Sequence, residues 1–195
     1  MAREATIMRK TQETAIEIFL NVEGTGKASV STGIPFLNHM LNLFAKHGLF
    51  DLTIKAEGDL EVDEHHTVED VGICLGQAFR QAFGDKVGIR RYGDSITPMD
   101  EALVMVAVDV SGRPHLVFDV QLPTRRTGQF DVGLIVEFLH AFVNHAAITL
   151  HLKMLSGRNT HHILEAAFKG MALALREACS IDPRAVGVPS TKGEL

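Results

Sequence analysis

Tryptophan is absent, tyrosine occurs once, cysteine twice and proline six times in 195 residues. Two cysteines are too few for a disulfide framework. Cys74 and Cys179 both fall in apolar runs with helical spacing, so they read as small core residues of a reducing, cytoplasmic protein. No apolar run reaches the roughly 18 residues that a membrane span needs. The N-terminal stretch MAREATIMRKTQE has no apolar core followed by small residues, so it does not read as a secretory signal. Positive charge is also scarce: 19 Lys and Arg face 24 Asp and Glu, a formal net charge of −5. That balance excludes coating of nucleic acid by bulk charge, and any anionic ligand must be held by a few placed cations. No glycine-rich dinucleotide fingerprint is present, which argues against nicotinamide or flavin chemistry.

What remains is a hydrophobic fraction of 46% with 22% charged residues, the balance of a folded globular chain. Histidine is the conspicuous residue, with ten copies. Short alternating runs (ATIMRKT, TAIEIFLNV, KASVSTG) predict strands, Pro35 opens a helix carrying Phe36, Met40, Leu43 and Phe44, and LFDLTIKAEG returns to a strand. HHTVEDVGICLGQAFRQAFGD is a second amphipathic helix. The pattern then restarts, with strands in YGDSITPMD, EALVMVAVDVSG and RPHLVFDVQLP, a helix in GLIVEFLHAFVNHA, a strand in AITLHLKMLSG and a long helix from HHILE. The order strand-strand-strand-helix-strand-helix thus occurs twice. Overlaying His65-His66 on His161-His162 matches Glu69 to Glu165 and Arg80 to Arg176, and a slightly different offset pairs Phe44 with Phe142 and Leu52 with Leu150. The expectation is an α+β fold by internal duplication, a two-layer α/β sandwich in which each half is a small sheet covered by two helices. The halves are expected at residues 1–88 and 89–195, packed as one unit because no low-complexity linker separates them.

Each half carries one HHxxE motif at a helix start. Positions i and i+4 share a helix face, so His65 and Glu69, or His161 and Glu165, can grip one metal ion. Adjacent residues diverge by about 100° around the axis, so His66 and His162 point towards a different ion. His39 in the first helix and its counterpart Glu137 complete a candidate ligand set of His39, His65, His66, Glu69, Glu137, His161, His162 and Glu165. Imidazole plus carboxylate without thiolate suits manganese, iron, zinc or nickel. His47, His115, His140, His145 and His151 are weaker candidates, better explained by packing or exposure. Basic residues supply a second clue: Arg90-Arg91, Arg113, Lys169 and Lys192 sit at turns or helix edges, and Ser190-Thr191-Lys192 could close over a phosphate. A dinuclear metallohydrolase and a non-catalytic metal-binding shell protein remain the alternative classes at this point.

The segments FLNHMLNLFAKHGLFDL, GDLEVDEHHTVEDVGICLG, GIRRYG, PMDEALV, DVSGRP, NTHHILEAAFKGMALALREA and VPSTKGEL together resemble the imidazoleglycerol-phosphate dehydratase family over residues about 3–195. The resemblance implies a duplicated fold of the ribosomal-protein-S5-domain-2-like type and elimination of water from imidazole glycerol phosphate in histidine biosynthesis. It implies two manganese ions per active site, built at subunit interfaces, and a homo-oligomer of 24 chains built from trimers. Its metal ligands carry over to His39, His65, His66, Glu69, His161, His162 and Glu165, plus position 137, where the family pattern has His and this chain reads Glu137. A carboxylate still binds manganese, so the position is retained. Its substrate contacts carry over to Glu13, Arg91, Arg113, Lys169, Ser190 and Lys192, with Thr191 between the last two. Glu13 is the candidate acid–base group, working beside the metal-binding His65, Glu69, His161 and Glu165.

Overall fold

The computed structural model describes residues 3–195. The first half runs β1 (Glu4–Lys10), β2 (Thr14–Asn21), β3 (Ala28–Ser31), α1 (Pro35–Gly48), β4 (Asp51–Gly58) and α2 (His65–Phe83). The second runs β5 (Tyr92–Met99), β6 (Ala102–Asp109), β7 (His115–Asp119), the short pair β8 (Arg126–Thr127) and β9 (Phe130–Asp131), α3 (Leu134–Ala146), β10 (Thr149–Ser156) and α4 (Thr160–Cys179). The expected double order is present, with the β8–β9 hairpin as an unforeseen insertion in the second copy.

Sheet topology repeats with the sequence. The first sheet has the order β1-β2-β4-β3 and the second β5-β6-β10-β7, with the third strand of each half pairing parallel to its neighbour. Leu52 pairs with Leu20 in one sheet and Leu150 with Val108 in the other. The repeat extends to backbone conformation: α1 and α3 both end on a left-handed residue that is not glycine, Leu49 (φ 57°) and Ala147 (φ 53°).

Each sheet turns its alternating buried residues, such as Ile16, Ile18, Leu20 and Ile54 or Val104, Val106, Leu150 and Leu152, onto its own helices. The helix layers of the two halves then face one another, α2 against α3 and α1 against α4. Phe79 and Phe142 meet across the first pair with ring centroids 5.5 Å apart. Close approach there requires small residues: a Cβ at Gly76 would stand 2.5 Å from the carbonyl oxygen of Phe142. Burying both apolar helix stripes in one shared layer leaves the outer sheet faces to water and sets which helix starts become neighbours.

Candidate functional site

The start of α4 is set by Asn159, whose side chain accepts the His161 backbone N–H at 2.9 Å. One turn on, Glu165 is buried, and its carboxylate is where α1 meets α4. Its Oε1 lies 2.8 Å from His39 Nε2 on α1 and 3.0 Å from His161 Nε2, while its Oε2 accepts from Lys169 Nζ at 2.6 Å. His39, His161 and Glu165 offer ligand atoms that all lie within 4.8 Å of one another. Burial works to raise the Glu165 carboxyl, but the contacts from Lys169, His39 and His161 outweigh it and hold it down at about 2. The group is therefore an anion through the whole physiological range.

The neighbouring histidines turn elsewhere, as their spacing demands. The His161 and His162 rings stand at 86° to one another, and so do the His65 and His66 rings. His162 Nδ1 contacts Glu101 Oε2 at 2.7 Å, and this pairing raises His162 while holding Glu101 down at about 2. His66 Nδ1 contacts Asp59 Oδ2 at 3.0 Å, with Glu13 Oε2 at 3.9 Å, and the Asp59 contact raises His66. In both cases the carboxylate fixes the ring and leaves Nε2 as the outward nitrogen. Glu13 and Glu101 occupy equivalent hairpin turns, β1–β2 and β5–β6, so the duplication extends to these acids. A buried Asp70, which accepts from Arg9 and Thr14, ties the β1–β2 hairpin bearing Glu13 to α2.

His65 and Glu69 sit half-buried at the start of α2, and Glu137 is exposed on α3, which packs along α2. Among the described residues they form no second trio of ligand atoms comparable to that of His39, His161 and Glu165. A single chain thus closes one cluster and leaves the other ligands apart.

The expected phosphate-binding groups gather at the far end of the second sheet. Arg91, just before β5, donates from Nε to Asp109 Oδ1 at 2.7 Å and from one terminal nitrogen to the Pro189 carbonyl at 2.9 Å. That second bond brings Ser190, Thr191 and Lys192 beside the arginine. Arg113 is exposed and reaches to 4.0 Å from the same Asp109. Lys169 stands apart from this group, paired with Glu165. Between the two ends lie the eight residues of β5 and the part of α4 from Glu165 to Cys179, about 25 Å of strand and about 20 Å of helix.

The imidazoleglycerol-phosphate dehydratase family model matches residues 32–175. A relative from Geobacter sp. (strain M21) with that name is 56% identical over 195 residues, all of both chains, and one from Acetivibrio thermocellus is 58% identical over the same span. The chain belongs to the imidazoleglycerol-phosphate dehydratase family. It is a hydro-lyase of histidine biosynthesis. The dehydratase of Staphylococcus aureus superposes with a TM-score of 0.84 at 38% identity, covering 92% of this chain and 99% of that one. The Pyrococcus furiosus enzyme, in complex with (S)-C348, gives 0.84 at 40%, covering 97% and 100%.

For a dehydratase of this family the residues that sequence reasoning passed over are acidic: Asp59, Glu101 and Asp109. A signal for Glu101 existed, because the β5–β6 turn in PMDEAL answers the β1–β2 turn that holds Glu13. The two HHxxE helices align residue for residue, whereas the hairpin turns differ in length, so the match between Glu13 and Glu101 shows only in the paired strands.

Proposed function

We infer that the chain converts imidazole glycerol phosphate to imidazole acetol phosphate with two divalent ions, manganese by expectation, at a site completed only between copies of the chain. The observation that carries this reading is the separation of the two functional ends. A three-carbon phosphate ester bearing an imidazole ring is far too short to reach from Glu165 to Arg113 along a single chain. Copies must therefore meet with the histidine end of one beside the arginine end of another, which agrees with a closed particle of 24 chains built from trimers.

The donor set fits a divalent ion. Adjacent ligands around an ion with bonds of about 2.1 Å stand about 3 Å apart, and the Glu165 oxygen stands 2.8 and 3.0 Å from the two imidazole nitrogens. His39, His161 and Glu165 would hold one ion, and His66 and His162 turn outward towards others, with His65, Glu69 and Glu137 from the α2–α3 side. Bound there, the ions would favour a deprotonated substrate imidazole and stabilise the charge that develops as the hydroxyl departs.

The chain's own groups do the rest. Lys169 keeps Glu165 ionised and oriented. Asp59 and Glu101 hold His66 and His162 by Nδ1. Glu13, beside His66 and largely exposed, is placed to take the poorly acidic carbon-bound proton on its carboxylate and return it to the leaving hydroxyl. Arg91, Arg113 and the Ser190–Lys192 turn bind the phosphate. The free thiols take no part: both cysteines are buried, and burial pushes each up to about 11. Buried unpaired thiols accord with a cytoplasmic protein, and among the described residues no helix is long and apolar enough to cross a membrane.

The test couples metal to assembly. Native protein should contain manganese-like metal by mass spectrometry, and chelation should abolish formation of the enolisable ketone product. Chelation should also shift the particle towards trimers in light scattering, since only assembled protein presents the complete site. A fully active monomer of 21.3 kDa, or full turnover without metal, would overturn the proposal.

A further inference from the structure

A carboxylate in the middle of a phosphate subsite is a poor neighbour for an anion, and Asp109 is such a group. It closes β6 with its side chain largely shielded, within 4.0 Å of Arg113 and in a two-toothed grip on Arg91. The grip is 2.7 Å from Arg91 Nε to Oδ1 and 3.2 Å from a terminal nitrogen to Oδ2. The third committed N–H of Arg91 goes to the Pro189 carbonyl, and Tyr92 covers one face of the guanidinium with its ring centroid 4.7 Å away. A guanidinium has five N–H donors, so two remain for a ligand, aimed in directions that Asp109, Pro189 and Tyr92 decide together. Two cations, Arg91 and Arg113, thus face this one anion.

The duplicated fold does not require this arrangement. The position equivalent to Asp109 at the end of the second strand of the first half is Asn21, which pairs with Asp51 as Asp109 pairs with Thr149. Among the described residues, the Asn21 side chain accepts the Glu23 backbone N–H and grips no arginine. The fork is specific to the half that carries the expected phosphate-binding groups.

We propose that Asp109 is a positioning residue of the phosphate subsite: it aims Arg91 and, through the Arg91–Pro189 bond, seats the Ser190–Lys192 turn that closes over the phosphate. The proposal rests on the phosphate reading given above. Losing the negative charge alone would strengthen anion binding by Coulomb attraction; losing the alignment weakens it. The two effects have opposite signs, which makes the proposal decidable.

The experiment uses the metal-loaded, assembled enzyme. Asp109→Asn should raise KM about tenfold, the scale of one charge-assisted contact, with kcat within about twofold. The inhibition constant of inorganic phosphate should rise by the same factor, and trypsin should cut faster at Lys192. In an Arg91→Lys background, Asp109→Asn should add no further change in KM, because the fork it supports is gone. If Asp109→Asn does not fold, Arg91→Lys breaks the same fork from its other end and must give the same split of KM from kcat. An unchanged KM with a lowered melting temperature, or tighter phosphate inhibition, overturns the proposal. Arg113→Ala and Lys192→Ala separate the two levels. If both leave KM unchanged, the phosphate reading itself falls; if both raise it and Asp109→Asn does not, only the role of Asp109 falls.

Discussion

Replacing Glu165 by glutamine tests the metal trio most directly. The substitution keeps shape and one carbonyl oxygen but removes the charge that meets Lys169 Nζ at 2.6 Å and the two imidazole nitrogens at 2.8 and 3.0 Å. An amide nitrogen turned to Lys169 stands donor against donor, and one turned to the rings finds an acceptor only where Nε2 is unprotonated and takes the carbonyl oxygen away from them. Only 10% of the Glu165 side chain and 15% of the Lys169 side chain are exposed, so water cannot fully repair the loss. A broken charge-assisted contact costs about 1.5–3 kcal/mol. In a chain of this length each kcal/mol moves the melting point by about 2–4 °C. Metal-free Glu165→Gln should therefore melt about 3–12 °C below the metal-free parent in a calorimetric scan. With metal supplied, bound manganese should fall and turnover drop at least about a hundredfold, which corresponds to about 2.7 kcal/mol of lost transition-state stabilisation. Lys169→Met breaks the same ion pair yet leaves the three ligand atoms in place, so it should show the thermal loss while keeping its metal. Glu165→Gln protein with full metal content and full turnover would refute the assignment.

The Glu101–His162 pair predicts a pH window in metal-stripped protein. A raised His162 contributes stability below its ordinary value of 6.5 that is lost as pH rises through the raised one, and a depressed Glu101 contributes above 4.5 and is lost as pH falls towards about 2. Melting of Glu101→Gln should thus lag the parent most between pH 4.5 and 6.5, and a constant difference across all pH would contradict the pairing. Gly93→Ala places a Cβ 2.0 Å from the Ala174 carbonyl oxygen, where β5 presses on α4. Overpacking of backbone against backbone should cost about 3 kcal/mol or more, read as a lower denaturation midpoint, and a neutral substitution would mean that the strand–helix contact is looser. Native protein should leave Cys74 and Cys179 unreacted with a thiol reagent until denatured; rapid labelling would show the buried thiols to be accessible.

Local pattern carried much of this protein. Apolar spacing marked the four helices, alternation marked the principal strands, and self-overlay exposed the duplication, because each depends on residues close in the chain. Even the divergence of His161 from His162 follows from helical rotation between consecutive residues. What spacing could not state was which ligands meet. His39 and Glu165 are 126 residues apart, and they touch because α1 packs on α4 when the two helix layers close on each other. Glu69 and Glu137, equally good donors by pattern, are left without such a trio by the same packing. The carboxylates that orient the histidines and Arg91 come from the β4–α2 connection (Asp59), a hairpin turn (Glu101) and a strand end (Asp109), where no periodicity announces them. The distance between the histidine end and the arginine end is likewise a property of the folded chain: local pattern marks the ends of β5 and α4, but only their packing against each other sets which ends lie together.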